Sequence, residues 1–393
     1  MTSSPSEAVL ARIDQAGLVA LCSKLIQLRS VNPPGGERAI AEYVAARLQE
    51  AGLAVELVPH GPDRASVLAR LRGNGQAAGL LYSAHLDTVA AAEDTWKHDP
   101  FGGEVSDNRV WGRGAADMKG GLAAMIVAAQ AIAVSVRPLR GDLVLAFTAG
   151  EEVNSLGAMA LAERPDLGPV QAVVVAEPSG NDLYVAEKGA LWVELTTYGH
   201  AAHGSMPDLG RNAVMMMVAL LARLDRLPVP FNAHPLLGGF SRSINTIAGG
   251  VKTNVVPDRC TATVDMRTVP DQDHAIVVAQ IQDLIDELAD SIPGFRAALR
   301  VINDRPPVAT DPNHHLVALF AGIIGQVTGQ RPVPQGVRYY TDAVAFVPVL
   351  KAPLIICGPG PAALAHQPDE SVEIAKLVDS ARILTLAALE LLG

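Results

Sequence analysis

The sequence has little of what would place it in several common classes of protein. Its 393 residues include only three scattered cysteines, Cys22, Cys260 and Cys357, which form neither a disulfide framework nor a thiolate zinc motif. Aromatic residues make up 4% of the chain, too few to provide stacking surfaces for nucleic acid. The net charge of −10 disfavours binding to nucleic acid or to an anionic membrane. We therefore expect a protein of the reducing cytoplasm with neither of these partners.

Long hydrophobic runs and leader-like segments are absent as well. The chain is 49% hydrophobic, but we find no run of about eighteen apolar residues without charges or helix breakers, so we expect no membrane span. The first residues, MTSSPSEAVLARIDQAG, show no basic start followed by an apolar core, so we expect no signal peptide. Scans for a GxSxG elbow and a GxxxxGK phosphate loop are negative, and the proline-rich sequence GPGPAA at 358–363 is unlike a dinucleotide-binding loop.

The order of predicted elements indicates two domains. Buried strands at Gly79–Ala84, Leu143–Thr148, Ala172–Ala176 and Leu354–Cys357 alternate with helices, as in α/β proteins with a mixed, mostly parallel sheet. Between residues 188 and 304 the order becomes strand–helix–strand–strand–helix–strand, which is typical of an α+β unit resembling a ferredoxin-like fold. We predict one domain from residues 1–187 and 305–393, with residues 188–304 inserted as a second domain.

Isolated acidic or imidazole residues follow short apolar runs, most of which we interpret as buried strands. They are His85, Asp117, the pair Glu151-Glu152, Glu177 and His366. Open α/β sheets collect their functional groups at the carboxyl ends of the strands, so these side chains should meet at one edge. Two histidines with several carboxylates suit a transition-metal site, and their number suits two ions better than one.

Each of these residues also has an ordinary structural interpretation when it is taken alone. His85 with Asp87 would fit a surface turn, Asp117 a helix cap, and the adjacent Glu151 and Glu152 an exposed acidic turn. Two adjacent carboxylates at a buried strand end repel each other, however, unless a cation compensates their charge. The whole set together favours a metal site, in which one glutamate binds metal and the other is the general base.

Longer motifs around these residues resemble a known family. The chain resembles the zinc-dependent amidohydrolases and exopeptidases that include acetylornithine deacetylase, succinyl-diaminopimelate desuccinylase, aminoacylase and carboxypeptidase G. The resemblance covers nearly the whole length. Its motifs are SAHLDTV, WGRGAADMKGG, TAGEEVNSLGA, VVAEPS, GHAAHGSMPDLGRNA, NVVP, DMRTVPDQD and CGPGPAALAHQPDE.

The resemblance implies a site with two zinc ions per subunit and a role for each ligand. Asp117 would bridge the ions, His85 and Glu177 would complete the ligands of one, and Glu152 and His366 those of the other. Cobalt or manganese are possible substitutes for zinc at such mixed sites.

Further roles follow from the same resemblance. Glu151 would be the general base that takes a proton from the attacking water. Asp87 would orient His85 by accepting a hydrogen bond from its second ring nitrogen. The peptide bond after Asp117, to Met118, would be cis, which is rare before a residue other than proline.

The inserted domain resembles the lid and dimerisation domain of that family. His203 would stabilise the oxyanion of the tetrahedral intermediate in the active site of a partner subunit. Asn254 and Arg267 match substrate-binding positions, and an arginine grips a carboxylate well. The resemblance therefore implies a homodimer formed through this domain.

The substrate class stays open between related alternatives. Arg338 lies in a segment that aligns with a substrate-lining loop, where it would pair with an acidic acyl group or else be a solvated surface residue; Gly358 is also placed with the substrate-binding positions. We expect a hydrolase that cleaves the amide bond of an N-acyl amino acid. The alternatives are a glutamate-type carboxypeptidase or dipeptidase acting on short peptides, and a non-catalytic binding protein on the same fold.

Overall fold

The computed structural model describes residues 5–135 and 138–393. The chain divides into two compact units. The first unit comprises Met1–Ala186, Ala309–Gly336 and Thr341–Gly393, and the second comprises Glu187–Val308 and Val337–Tyr340. The short segment Val337–Tyr340, which contains Arg338, thus groups with the inserted unit although the sequence places it far downstream.

The described residues form strands throughout the chain. They are β1 (Ala54–Pro59), β2 (Ala65–Leu71), β3 (Gly79–His85), β4 (Val105–Ser106), β5 (Arg109–Trp111), β6 (Leu143–Thr148), β7 (Val170–Pro178), β8 (Tyr184–Glu187), β9 (Gly189–Tyr198), β10 (Ser241–Gly249), β11 (Arg259–Thr268), β12 (Ala297–Arg305), β13 (Val308–Ala309), β14 (Gln335–Val337), β15 (Leu354–Gly358) and β16 (Ser371–Glu373).

Helices separate many of these strands. They are α1 (Pro5–Leu10), α2 (Gln15–Gln27), α3 (Arg38–Glu50), α4 (Gly120–Ala133), α5 (Leu156–Ala162), α6 (Ala213–Arg226), α7 (His274–Ser291), α8 (His315–Thr328), α9 (Ala343–Leu350) and α10 (Ile374–Leu392). An irregular turn at Ala115–Lys119 leads directly into α4.

The first unit is built on a large mixed sheet with the strand order β1-β2-β6-β3-β7-β15-β8-β13, and β14 pairs with β8. Its central strands β6, β3, β7 and β15 run parallel to one another, whereas β1, β2 and β8 pair antiparallel. Every residue of β3, β6 and β15 is buried, as expected for parallel strands covered on both faces. All four strands predicted from the sequence are confirmed, and so is the mixed α/β architecture.

A small sheet stands beside the large one, with the order β16-β5-β4. In its antiparallel register Ser371 lies opposite Trp111 and Val372 opposite Val110. This pairing brings the chain after His366 next to the loop that contains Asp117. These strands were not predicted, because two or three residues are too few to show a period in the sequence.

The second unit is a four-stranded antiparallel sheet with the order β10-β11-β9-β12. Its core joins alternate residues of β9 and β11, such as Val193 and Val264, to the apolar faces of α6 and α7. The chain order within this unit is strand–helix–strand–strand–helix–strand, as the sequence predicts.

One helical stretch, Ala115–Ala133, has the length and hydropathy of a membrane span. In the structure 89% of it is buried inside the protein, where α4 packs against α2 and α10. The core helix of a globular protein passes the same test, so this stretch is weak evidence for a membrane span.

Candidate metal centre

The candidate site lies at the carboxyl edge of the central parallel strands. The register places His85 at the end of β3 beside Thr148 at the end of β6. Glu177 is the last residue but one of β7. The loop after β6 carries Glu151 and Glu152. Parallel strands in register therefore deliver these side chains to one edge of the sheet, as the sequence predicts.

Hydrogen bonding fixes the orientation of the His85 ring. Its Nδ1 lies 2.9 Å from the backbone carbonyl oxygen of Asp87. Because a carbonyl oxygen can only accept, Nδ1 carries the proton and donates it. Nε2 then faces the carboxylates, 3.0 Å from Asp117 Oδ1 and 3.7 Å from Glu177 Oε1. This is the orientation that a metal-binding histidine requires.

Asp117 lies between the two histidines. Its Oδ1 is 3.0 Å from His85 Nε2, and its Oδ2 is 3.4 Å from His366 Nε2. The loop reaches this position through Gly114, whose φ of 89° suits glycine. The Asp117–Met118 peptide is cis, as the resemblance implies. Each oxygen of one carboxylate thus addresses a different imidazole, which is the arrangement a bridging ligand needs.

The remaining predicted ligands complete two groups around Asp117. His366 Nε2 is 3.1 Å from Glu152 Oε2, while Glu177 belongs to the group of His85. Ligand atoms of His85, Asp117 and Glu152 lie within 4.8 Å of one another. Imidazole nitrogens and carboxylate oxygens at such separations are a donor set that suits zinc and similar divalent ions. The residues present therefore fit a metal centre.

The electrostatics of the metal-free site reflect crowded negative charge. Burial raises the pKa of Glu151 well above its ordinary value, and the charges of Glu177 and Glu152 raise it further. Burial and the Asp117 charge likewise raise the pKa of Glu177. The pKa of His85 is also raised, because its bond to Asp117 and the surrounding carboxylates outweigh the opposing effect of burial. The site favours added positive charge, whether from protons or from metal ions.

Asp87 supports the site differently from the expectation. Its backbone carbonyl holds the His85 ring, whereas its carboxylate Oδ1 is 3.8 Å away from that ring. The carboxylate instead accepts backbone N–H groups of Gly150, Glu151 and Glu152 at 3.0, 3.2 and 3.2 Å. It therefore fixes the turn that presents the two glutamates, a role that the pattern HxD does not reveal.

Several buried polar residues around the site were missed by the sequence analysis. They are Arg113, Lys119, Asp342 and Glu370. Lys119 Nζ donates to the Leu28 carbonyl oxygen at 2.9 Å, and burial lowers the pKa of this amine to about 7. Burial raises the pKa of Asp342, which accepts a hydrogen bond from Thr148, to about 6. Arg113, Lys119 and Glu370 lie inside the quoted motifs, and Asp342 lies in the segment that contains Arg338.

The predicted residues of the inserted domain lie together in the second unit. His203 Nδ1 is 2.7 Å from Ser205 Oγ, and the backbone of Gly204 donates to the Asn254 carbonyl oxygen at 2.8 Å. These contacts bring the loops of His203 and Asn254 together. Their roles toward a substrate stay predictions.

Arg267 and Arg338 also belong to this unit. Arg267 is paired with Asp265 at 2.9 Å and lies 6.0 Å over the ring of Tyr340. Burial, followed by the charges of Arg338 and Arg267, lowers the pKa of Lys188. The structure thus gathers basic side chains into one cluster, formed by Lys188, Arg267 and Arg338.

Gly358 lies in the first unit at the end of β15. Its backbone N–H donates to Ser179 Oγ at 3.0 Å, and its carbonyl oxygen accepts from the Asn181 N–H at 2.7 Å. These bonds give Gly358 a place in the packing of the sheet, and its role in substrate binding stays a prediction.

Most of the chain matches one known protein family. Residues 81–390 match the model described as peptidase family M20/M25/M40. The chain belongs to this family. It is accordingly a hydrolase that acts on amide bonds.

Curated relatives cover almost the whole chain. A probable succinyl-diaminopimelate desuccinylase of Staphylococcus epidermidis is 29% identical over 382 residues, covering 90% of this chain and 92% of the relative. An N-formyl-4-amino-5-aminomethyl-2-methylpyrimidine deformylase of Bacillus subtilis is 28% identical over 399 residues, covering 93% and 92%. The two relatives have different named substrates at nearly equal identity, so similarity alone does not select between them.

Solved structures show the same fold. An M20-family metallo-carboxypeptidase of Sulfolobus solfataricus superposes with a TM-score of 0.79 at 19% identity, covering 95% of this chain and 99% of that one. A Bacillus subtilis protein described as a dinuclear metal-binding peptidase of the M20 family gives a TM-score of 0.72 at 16% identity, covering 96% and 98%. At these identities the likeness concerns the architecture alone.

Adding Zn²⁺ to protein stripped with EDTA should raise the unfolding temperature, because an ion bound to the folded site relieves carboxylate repulsion. A free ion concentration of about 100 times Kd corresponds to about 2.7 kcal/mol of stabilisation. Differential scanning calorimetry measures the shift. Asp117→Asn should remove most of it, whereas Glu163→Gln, at an exposed position outside the site, should retain it. Equal unfolding temperatures with and without Zn²⁺ would contradict the metal assignment.

Proposed function

We propose that the protein is a di-metal N-acyl-amino-acid deacylase in which Glu151 is the general base. The observation that carries the proposal is the pairing of His85 and His366 with separate oxygens of Asp117. Glu177 and Glu152 lie beside the respective histidines. Two curated relatives are a desuccinylase and a deformylase by name, and both names denote removal of an acyl group.

The five ligands would hold two ions, zinc by preference, with cobalt or manganese as substitutes. When bound, the ions lower the pKa of water and polarise the substrate carbonyl. Glu151 removes a proton from the attacking water and returns it to the amine nitrogen as the amide C–N bond breaks. The Asp87 carboxylate holds the backbone of residues 150–152, which keeps this base in place while its side chain carries the proton.

The basic cluster of Lys188, Arg267 and Arg338 supports an anionic substrate. Lys188 is 6% exposed and lies near the guanidinium groups of Arg267 and Arg338. An anion bound there would relieve the repulsion among the three cations. Arg267 already has a carboxylate partner, Asp265, which leaves Arg338 as the residue we assign to the acidic acyl group of the substrate. Asn254 completes the proposed substrate contacts.

Glu151→Gln should lower kcat at least about 100-fold, because general-base catalysis contributes roughly 10²–10⁴-fold and the amide cannot accept the proton. The amide has nearly the same shape as the carboxylate, so metal content should not change. Kinetics with a cleaved N-acyl amino acid, together with elemental analysis of the metal, test this. A variant with bound metal and wild-type kcat would refute the assignment; Glu163→Gln serves as the matched control.

A panel of N-succinyl, N-acetyl and N-formyl amino acids and dipeptides tests the substrate class. We expect metal-dependent hydrolysis with succinyl substrates favoured. Arg338→Met should raise KM for these at least about 10-fold by removing a charged hydrogen bond, and should change acetyl substrates little. An equal rise in KM for succinyl and acetyl substrates would show that Arg338 does not recognise the acyl group. If the rate of hydrolysis depends instead on the C-terminal residue that is released, the protein is a carboxypeptidase, which is the second candidate. The same basic cluster also suits a C-terminal carboxylate.

We further propose that the second unit, which we assign to the ferredoxin-like class, is a lid through which the protein dimerises. Strand β10 is at the end of its sheet, and α6 beside it exposes Met215 and Val218 at 61% and 46%. Such an edge with neighbouring apolar side chains is suited to pairing with a second copy. His203 would then stabilise the oxyanion in the partner's site.

Analytical ultracentrifugation should show twice the 41.1 kDa chain mass. The double variant Met215→Glu/Val218→Glu should sediment as a monomer and lose activity, because the partner's His203 is removed. The matched control is Ile276→Glu on α7, which is 60% exposed and should leave the dimer intact. A fully active monomer would exclude the contribution of His203 from a partner.

A further inference from the structure

The small three-stranded sheet joins two loops of the metal centre. In the register of β16 on β5, Ser371 lies opposite Trp111. Glu370 is therefore carried to the start of the Asp117 loop, where its carbonyl oxygen accepts the Gly112 N–H at 2.8 Å. The register is reinforced at the surface by Arg109, which binds Glu373 at 2.6 Å.

The side chain of Glu370 is completely buried, and both of its carboxylate oxygens are used. Oε1 accepts the backbone N–H groups of Ala116 and Asp117, each at 2.9 Å. Oε2 is 2.5 Å from Arg113 Nη1. Hydrogen bonds to an ionised carboxylate are stronger than those between neutral groups, so Glu370 fixes the backbone from which the bridging carboxylate of Asp117 projects.

Arg113 extends the connection to the second histidine. It is 3% exposed, its backbone N–H donates to the Pro100 carbonyl oxygen at 2.7 Å, and its Nη2 donates to the His366 carbonyl oxygen at 3.3 Å. The guanidinium thus contacts Glu370 with one nitrogen and the backbone of His366 with the other. A rigid planar fork is suited to hold two such groups at a fixed separation.

We propose that Arg113 and Glu370 are positioning residues that set the separation of Asp117 and His366 and thereby the metal affinity of the centre. The side chain of His366 is 49% exposed and its φ is 64°, so packing alone restrains it little. The buried pair supplies that restraint through the backbone. This inference rests on the metal centre of the proposed function and adds the residues that determine its affinity.

Glu370→Gln separates positioning from general stability. The amide oxygen still accepts both backbone N–H groups, but the amide nitrogen then faces Arg113, donor against donor. We expect about 10–100-fold weaker metal binding, as is typical when a support of metal ligands is removed. A role in folding alone would lower the stability of the metal-free protein and leave the metal affinity of the folded protein unchanged.

The measurement is titration of metal-free protein with Co²⁺, followed by its visible absorption, which reports ligand geometry. Circular dichroism confirms folding. Glu373→Gln is the matched control, because it breaks the ion pair with Arg109 in the same small sheet at a half-exposed position. It should bind Co²⁺ like the wild type.

Arg113→Lys is the second variant and decides the question if Glu370→Gln does not fold. Lysine keeps a positive charge toward Glu370 but has no fork to reach the His366 carbonyl oxygen. Wild-type Co²⁺ affinity and spectrum in the folded variants would overturn the proposal. Wild-type protein that binds no Co²⁺ would overturn it together with the metal centre. Wild-type protein that binds Co²⁺ but hydrolyses no amide would refute the proposed function and leave the positioning role standing.

Discussion

Repulsion among carboxylates at one sheet edge is the constraint on which the rest of this structure depends. Asp117, Glu151, Glu152 and Glu177 all reach the same small volume, and the raised pKa values of Glu151 and Glu177 show the cost of charging them together. Burying like charges is unfavourable unless a cation or several donors compensate. The site therefore has to be held by the fold against its own electrostatics, and a metal ion is the natural counter-charge.

The fold meets this constraint by close packing directly behind the ligands. A Cβ atom at Gly121 in α4 would lie 2.2 Å from the Ala176 carbonyl oxygen, and one at Gly358 in β15 would lie 2.1 Å from the same atom. Helix α4 and strand β15 thus approach β7 from two directions, one residue before Glu177, at distances that only glycine allows. The sheet does not hold the loops that contain Gly150 and Ala116. Backbone N–H groups of these loops donate hydrogen bonds to the carboxylates of Asp87 and Glu370, which fix the loops in place.

The sequence could predict which side chains gather at the sheet edge but not the residues that support them, for a physical reason. A ligand such as His85 follows a buried strand, and parallel strands end at one edge, so local pattern and general sheet geometry place it. A support such as Glu370 acts on the backbone of residues about 250 positions away in the chain, at Ala116 and Asp117. Backbone acceptors and donors carry no signature of residue type. The same reason explains why the Asp87 carboxylate was expected on His85 and lies instead on the backbone of Gly150 and Glu151.

Like charges lie close together in both units, negative charges in the first and positive charges in the second. The first unit concentrates carboxylates, and their mutual repulsion favours the binding of cations. The second gathers Lys188 with Arg267 and Arg338. Burial, followed by the charges of the two arginines, lowers the pKa of the lysine, so this cluster favours binding of an anion. Relatives at nearly equal identity are named for a succinyl and for a formyl group, so membership of the family does not by itself fix the acyl group. We assign this choice to residues outside the centre. The proposed preference for an acidic acyl group over a neutral one follows from the basic cluster in the second unit, in which Lys188 is buried.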